Sequence, residues 1–274
     1  MYVTVEGDPV YVYTGARNFD RARPTIVFVH GAANDHSVWG LQARYFAHHG
    51  NNALAIDLPA HGKSGGNAKK SIGSIADWLA ALLDALAVER AVLVGHSMGG
   101  LAALDMTARH PQRTRALALL GPAAPMLVSD VLLDAAQAHD HLAYELMTGW
   151  TFSATSHLGG NRQPGIWMTN VALRLFERSR PGVLHADLAA CHRYADGLAA
   201  ATAIHCPVLV VFGQRDLMVP PKNAGPLLAA LPDKQVVTIS ECGHSMMAEA
   251  PDIVLDALRE FIARAVAFTP PSAT

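Results

Sequence analysis

Five residues, Gly95-His96-Ser97-Met98-Gly99, are all that separate an apolar run from a helix-forming run in this chain. Ala91 to Val94 has the length and content of a buried strand, and Leu101 to Ala108 is rich in the Ala, Leu and Met that favour helix. So direct a passage from strand to helix demands a sharp turn, and Gly95 and Gly99 remove the side chains that would collide in it. Ser97, between them, is pushed toward a strained backbone conformation that lifts its hydroxyl clear of the sheet. G-x-S-x-G between a strand and a helix is the pattern of a nucleophile elbow. Ser97 is therefore the first candidate nucleophile.

Strand and helix patterns alternate on both sides of this turn. Val3 to Val5 and Val10 to Tyr13 flank Gly7-Asp8-Pro9 and predict an edge hairpin. Thr25 to Val29 and Asn52 to Ile56 are continuous apolar runs, as expected of strands covered on both faces, and Ala116 to Leu120 is another. Trp39 to Ala47 and Ile75 to Leu86 read as helices. From about Pro122 to Ala203 no apolar strand appears, and helix-like pieces are punctuated by Gly159-Gly160, Pro164-Gly165 and Pro181-Gly182. The sheet resumes at Pro207 to Gly213 and Gln235 to Ile239, and Ile253 to Phe268 forms a closing amphipathic helix. The expected fold is α/β, a mostly parallel twisted sheet with helices on both faces and ligands at the strands' carboxyl ends. Residues 1–121 and 204–268 would form the core, 122–203 an inserted helical cap, and 269–274 a disordered tail.

A serine hydroxyl is a weak nucleophile near neutral pH, so Ser97 needs a histidine base and a carboxylate to fix its tautomer. Two strand ends supply them: Asp216 follows Val208 to Gly213, and His244 follows Gln235 to Ile239. The chain order Ser, Asp, His is that of α/β-hydrolases. Rival candidates fare worse on the same letters. Gly62-Lys63-Ser64 ends like a phosphate loop but has Asp57 where that loop needs glycine; Ser129 and Ser245 lack a glycine-flanked elbow. Asp57 could serve as the acid, yet it precedes the serine.

With His30-Gly31-Ala32, Asp57 to Ser64, Gly95 to Gly99, Gly213 to Asp216 and Gly243-His244 in place, nearly the whole chain outside the cap resembles an α/β-hydrolase fold serine hydrolase of the capped, esterase-like kind. The resemblance implies an oxyanion hole from the backbone N–H groups of Ala32 and Met98, with Ala33 as the alternative to Ala32. It also implies that His30 braces its loop and that Asp57 belongs to a structural loop.

Charge and composition narrow the partners. Charged residues make up 16% of the 274 and the formal net charge is -2, with no basic block, so a small, largely uncharged substrate is expected and nucleic acid is not. Cys191, Cys206 and Cys242 are too few and scattered for a disulfide framework, which fits a reducing, cytoplasmic location. The alternating start is unlike a signal peptide, no apolar run is long enough for a membrane span, and no motif sets an oligomeric state. The fourteen histidines lack metal-site spacing, so neither a metal nor another cofactor is expected. Met147, Trp150, Phe152, Trp167, Met168, Phe176 and Tyr194 of the cap are candidates for an apolar pocket. The chemistry expected is hydrolysis of a carboxylic ester. A carbon–carbon bond hydrolase acting on a diketone-like compound is the alternative, and a receptor-like binder with slow turnover a third.

Overall fold

Apolar residues that alternate between two faces build the centre of the molecule. The computed structural model describes residues 1–160 and 165–267, so the expected tail lies outside the described residues. Eight strands form one sheet: β1 (Tyr2–Val5), β2 (Asp8–Tyr13), β3 (Thr25–Val29), β4 (Asn52–Ile56), β5 (Ala91–His96), β6 (Thr114–Leu120), β7 (Val208–Gly213) and β8 (Lys234–Ile239). Their order is β1-β2-β4-β3-β5-β6-β7-β8, with β1 and β2 antiparallel to their neighbours and the rest parallel. Every residue of β3, β4, β5 and β7 is buried, as their unbroken apolar runs require.

The helices are α1 (Gly40–His48), α2 (Ile72–Ala85), α3 (Met98–Arg109), α4 (Asp130–Gln137), α5 (Leu142–Thr151), α6 (Ala154–His157), α7 (Met168–Glu177), α8 (Val183–Arg193), α9 (Gly197–Thr202), α10 (Gly225–Ala230), α11 (Met246–Glu249) and α12 (Pro251–Ala267). Ile26, Phe28, Val92, Val94, Leu209 and Val211 pack on one side of the sheet with Phe46 of α1 and Leu258 and Phe261 of α12. Val27, Val29, Leu93, Leu117, Leu119 and Val210 pack on the other with α2 and α3. Leu132, Met147, Phe176, Leu184 and Leu188 from the segment between β6 and β7 join this second cluster. That segment holds α4 to α9, and α9 packs on α3 and α10. No helix among the described residues is long and apolar enough to cross a membrane.

Two local details depart from the sequence expectation. The first hairpin turns on Glu6 and Gly7, at φ 52° and 90°, while Asp8 and Pro9 belong to β2. Two positive-φ residues give a turn whose twist matches that of the strands, and Pro9 lies outside the β2 stretch, Val12 and Tyr13, that pairs with β4. Helix α2 begins at Ile72 rather than Ile75, because Ser71 and Ser74 cap each other's backbone N–H reciprocally.

At the elbow Ser97 has φ 53° and ψ -120°, a conformation that costs a non-glycine residue about 1–3 kcal/mol. The flanking glycines make it possible. A Cβ on Gly95 would lie 2.6 Å from the Gly100 Cα, and one on Gly99 would lie 2.5 Å from the Val29 carbonyl oxygen. Helix α3 therefore starts pressed against the ends of β5 and β3. Gly99→Ala should destabilise the fold by about 1–3 kcal/mol in urea unfolding, the usual cost of overpacking. Gly149→Ala, in α5 with no heavy atom within 4 Å of the added methyl, should be neutral or stabilising by up to about 1 kcal/mol.

Candidate active site

Four strands deliver the predicted residues to one edge of the sheet: β3 leads to Ala32, β5 to Ser97, β7 to Asp216 and β8 to His244. The loops after β7 and β8 are laced by backbone bonds, with Gln214 N–H donating to Ile239 O at 2.9 Å and Arg215 N–H to Cys242 O at 2.8 Å. His244 Nδ1 donates to Asp216 Oδ2 at 2.6 Å, and both side chains are buried. Asp216 Oδ1 accepts the Val219 N–H at 2.7 Å, so the carboxylate cannot rotate away. The Nδ1–H tautomer leaves His244 Nε2 with a lone pair, the form a general base requires. Ser97 and His244 line one cavity of about 530 Å³.

Neighbouring groups hold the His244 ring and backbone from several sides. His96 Nε2–H donates to the His244 carbonyl at 3.0 Å, and the two rings lie 4.5 Å apart. Burial pushes the His96 imidazolium well below the usual histidine range, and the nearby His244 adds to this. Gly121, at φ 60°, lies so close that a Cβ there would be 2.9 Å from His244 Cε1. Thr151, at the end of α5, accepts the His244 N–H at 2.7 Å through its carbonyl. Glu249 Oε1 accepts the Gly243 N–H at 2.8 Å, while its Oε2 accepts the Ser153 N–H at 3.0 Å and the Ser156 hydroxyl at 2.8 Å.

The candidate oxyanion donors sit on the facing side. Met98 N–H is the first amide of α3, where no intrahelical acceptor exists. Ala32 lines the cavity. The alternative, Ala33, has its N–H engaged by Asp187 Oδ2 at 2.9 Å. His30 orients the Ala32 peptide: its Nδ1–H donates to Gly31 O at 2.9 Å, while its Nε2 accepts the Leu58 N–H at 3.1 Å. A trans peptide then directs the Ala32 N–H opposite to the fixed Gly31 carbonyl. Burial, reinforced by His61, lowers the His30 pKa to about 4, which keeps it neutral in this bracing role.

Asp57 is occupied elsewhere, accepting the His36 N–H at 2.7 Å, the His36 ring N–H at 2.8 Å and the Lys63 N–H at 2.9 Å. Burial opposes its ionisation, yet these bonds hold its pKa below the ordinary carboxylate value. Asp35, His36 and Asp57 form the one group of possible metal ligands among the described residues. Asp35 is engaged too, by the Arg178 guanidinium at 2.7 Å and the Ser37 N–H at 2.8 Å.

Among the described residues the cavity lining contains Met147, Trp150, Phe152, Met168 and Phe176, and no Asp, Glu, Lys or Arg. Trp167 and Tyr194 lie outside it, a correction to the expected pocket. Trp167 is exposed at the start of α7, and the Tyr194 hydroxyl is spent on Asp105 of α3 at 2.8 Å. Sequence reading missed Leu132, Leu188, Met218 and Val219 of the lining, and also Gly121, Thr151, Asp187 and Glu249. Asp187 alone offered a visible sign, a carboxylate within the mostly apolar stretch Val183 to Cys191.

Residues 26–257 match the model of the alpha/beta hydrolase family. The chain is 30% identical over 244 residues to a pimeloyl-[acyl-carrier protein] methyl ester esterase of Aromatoleum aromaticum, covering 84% of this chain and 94% of that protein. It is 30% identical over 198 residues to a 2-hydroxymuconate semialdehyde hydrolase of Pseudomonas sp. (strain CF600), covering 69% and 68%. A solved thermophilic esterase superposes with a TM-score of 0.81 at 26% identity over 97% of each chain. With its sheet order, its elbow and this match over most of its length, the chain belongs to the alpha/beta hydrolase family.

Proposed function

We propose that this hydrolase cleaves a small, neutral, largely apolar carboxylic ester through an acyl-enzyme on Ser97. The observation that carries the reading is the Asp216–His244 pair, bonded at 2.6 Å, with His244 opening alongside Ser97 onto a cavity whose described lining is uncharged. His244 Nε2 takes the Ser97 proton as the hydroxyl oxygen attacks the ester carbonyl, and Asp216 stabilises the imidazolium that results. The N–H groups of Ala32 and Met98 receive the charge developing on the carbonyl oxygen. His244 then protonates the departing alkoxide, and a water activated by the same nitrogen hydrolyses the acyl-enzyme and frees Ser97.

The α4 to α9 segment acts as the cap, supplying Leu132, Met147, Trp150, Phe152 and Phe176 to the cavity wall. A charged acyl chain finds no counter-ion among the described lining residues. The likeness to the 2-hydroxymuconate semialdehyde hydrolase supports a second reading, carbon–carbon hydrolysis of a diketone-like compound. We also read the location as cytoplasmic, supported by three cysteines that are buried and in no disulfide.

Ser97→Ala should lower kcat on p-nitrophenyl butyrate by at least about 10³-fold, and a fluorophosphonate should label Ser97 in the wild type. Retained turnover would overturn the assignment. In a panel of esters run beside a vinylogous diketone, dimethyl glutarate should surpass its anionic monomethyl ester in kcat/KM by at least about 10-fold, because no described residue of the lining supplies a cation. Faster cleavage of the diketone than of every ester would favour the second reading. Gly121→Ala should cut kcat by about 10- to 100-fold by displacing the His244 ring, with a smaller effect on KM.

A further inference from the structure

We infer that Asp187, a cap carboxylate outside the reacting set, is a positioning residue that holds the oxyanion loop in its working conformation through Ala33 and His61. The inference rests on the Ser97 acyl-transfer reading, because it concerns how the Ala32 donor is aimed.

Asp187 lies on α8, is 1% exposed, and reaches across to the core. One of its oxygens, Oδ2, accepts two hydrogen bonds: the Ala33 N–H at 2.9 Å and the His61 Nε2–H at 2.8 Å. Ala33 has φ 52°, a left-handed conformation that an alanine holds only when its neighbours impose it. The Gly31–Ala32 peptide plane is fixed by His30, and the next plane, Ala32–Ala33, is fixed on its N–H side by Asp187. Between these two pinned planes lies the Cα of Ala32. Releasing the second lets Ala33 relax and swings the first, so a group on the cap controls where the Ala32 N–H points.

His61 completes the device. Its Nδ1 faces the Pro59 carbonyl oxygen at 2.9 Å and its Nε2 faces Asp187, so both ring nitrogens meet acceptors and both must carry protons. Burial lowers the imidazolium's stability, but the Asp187 charge and hydrogen bond, the Pro59 bond and the more distant Asp57 outweigh it and raise the His61 pKa. His30, whose ring lies 4.9 Å away, is neutral and contributes no opposing charge near pH 7. The sign follows from the raised pKa. Below it the imidazolium bridges Pro59 and Asp187; as pH rises through it, one nitrogen becomes a lone pair facing an oxygen, and the link loosens. The Ser97 reaction should therefore carry an alkaline limb in kcat that originates at His61.

The test compares Asp187→Ala and Asp187→Asn on p-nitrophenyl acetate, an ester too small to depend on cap packing. D187A removes both bonds; D187N keeps an acceptor for Ala33 but no charge for His61. D187A should lower kcat by about 10- to 100-fold with KM within about 3-fold, and should weaken a trifluoromethyl ketone inhibitor by the same factor as kcat/KM. D187N should show a pH-independent kcat at the level of the wild-type alkaline plateau, within about 5-fold of the wild-type value at pH 6, because the Ala33 bond is kept while uncompensated burial keeps His61 neutral. The inference is overturned if D187A retains wild-type kcat, or if D187A and D187N lose kcat equally with KM rising in parallel. Should D187A fail to fold, D187N decides alone, and an unchanged pH profile sinks the idea. Failure of the underlying reading looks different, since Ser97→Ala would then remain active whatever happens at Asp187.

Discussion

Everything at this site depends on a serine held in a backbone conformation that serine disfavours. Ser97 at φ 53° sits where β5 gives way to α3, and its strain persists because the surrounding backbone leaves no other path. The Ser97 N–H donates to Leu120 O on β6 at 2.9 Å, and its carbonyl accepts the Gly100 N–H at 2.8 Å. Close approach at Gly95 and Gly99 locks helix α3 to the ends of two strands. The result is a hydroxyl presented at the sheet edge together with a first-turn amide, that of Met98, which has no acceptor within its helix. The proposed nucleophile and one of its proposed anion-binding donors thus come from one turn.

Around this turn the supporting groups come in two sets, and each runs into the α4 to α9 segment. On the base side, His244 is tied to Asp216 by its ring and to Thr151 by its backbone, and Glu249 binds the Gly243 N–H as well as Ser153 and Ser156. On the oxyanion side, His30 fixes Gly31 and Asp187 fixes Ala33. Two buried carboxylates outside the reacting set therefore join the α4 to α9 segment to the two loops that need the finest placement. A buried carboxylate is stable only when its oxygens are satisfied, so each of these contacts is enforced in both directions. That segment supplies an apolar wall and, through the same bonds, rigidity to the loops at the strand ends.

Ser97, Asp216 and His244 could be singled out from sequence because each stands just past an apolar strand run, and the structure puts Ser97 and His244 on one cavity with Asp216 bonded to His244. The pocket was legible only in part. Met147, Trp150, Phe152 and Met168 line the cavity, whereas Tyr194 is turned to Asp105 and Trp167 is exposed. Helical spacing says which face of a helix is apolar, but not which neighbour that face meets. The first hairpin shows the same limit on a smaller scale, since Gly7-Asp8-Pro9 marked a turn without revealing that Glu6 would take a positive φ.

The sequence by itself determined the order of strands and helices, the position of the elbow and the identity of the three chemical groups at the strand ends. These follow from local physics: the period of apolar residues, the steric freedom of glycine, and the need of serine for a base. Only the tertiary structure sets Ala32 apart from Ala33, because it bonds the Ala33 N–H to a residue 154 positions away while Ala32 lines the cavity. The roles of Gly121, Glu249 and His96 were decided there too, each by a contact with the loop of His244. The physical reason is one of range. Hydrogen bonds and close packing act over a few ångströms in space, and sequence separation carries no record of them until the sheet and the α4 to α9 segment have packed together.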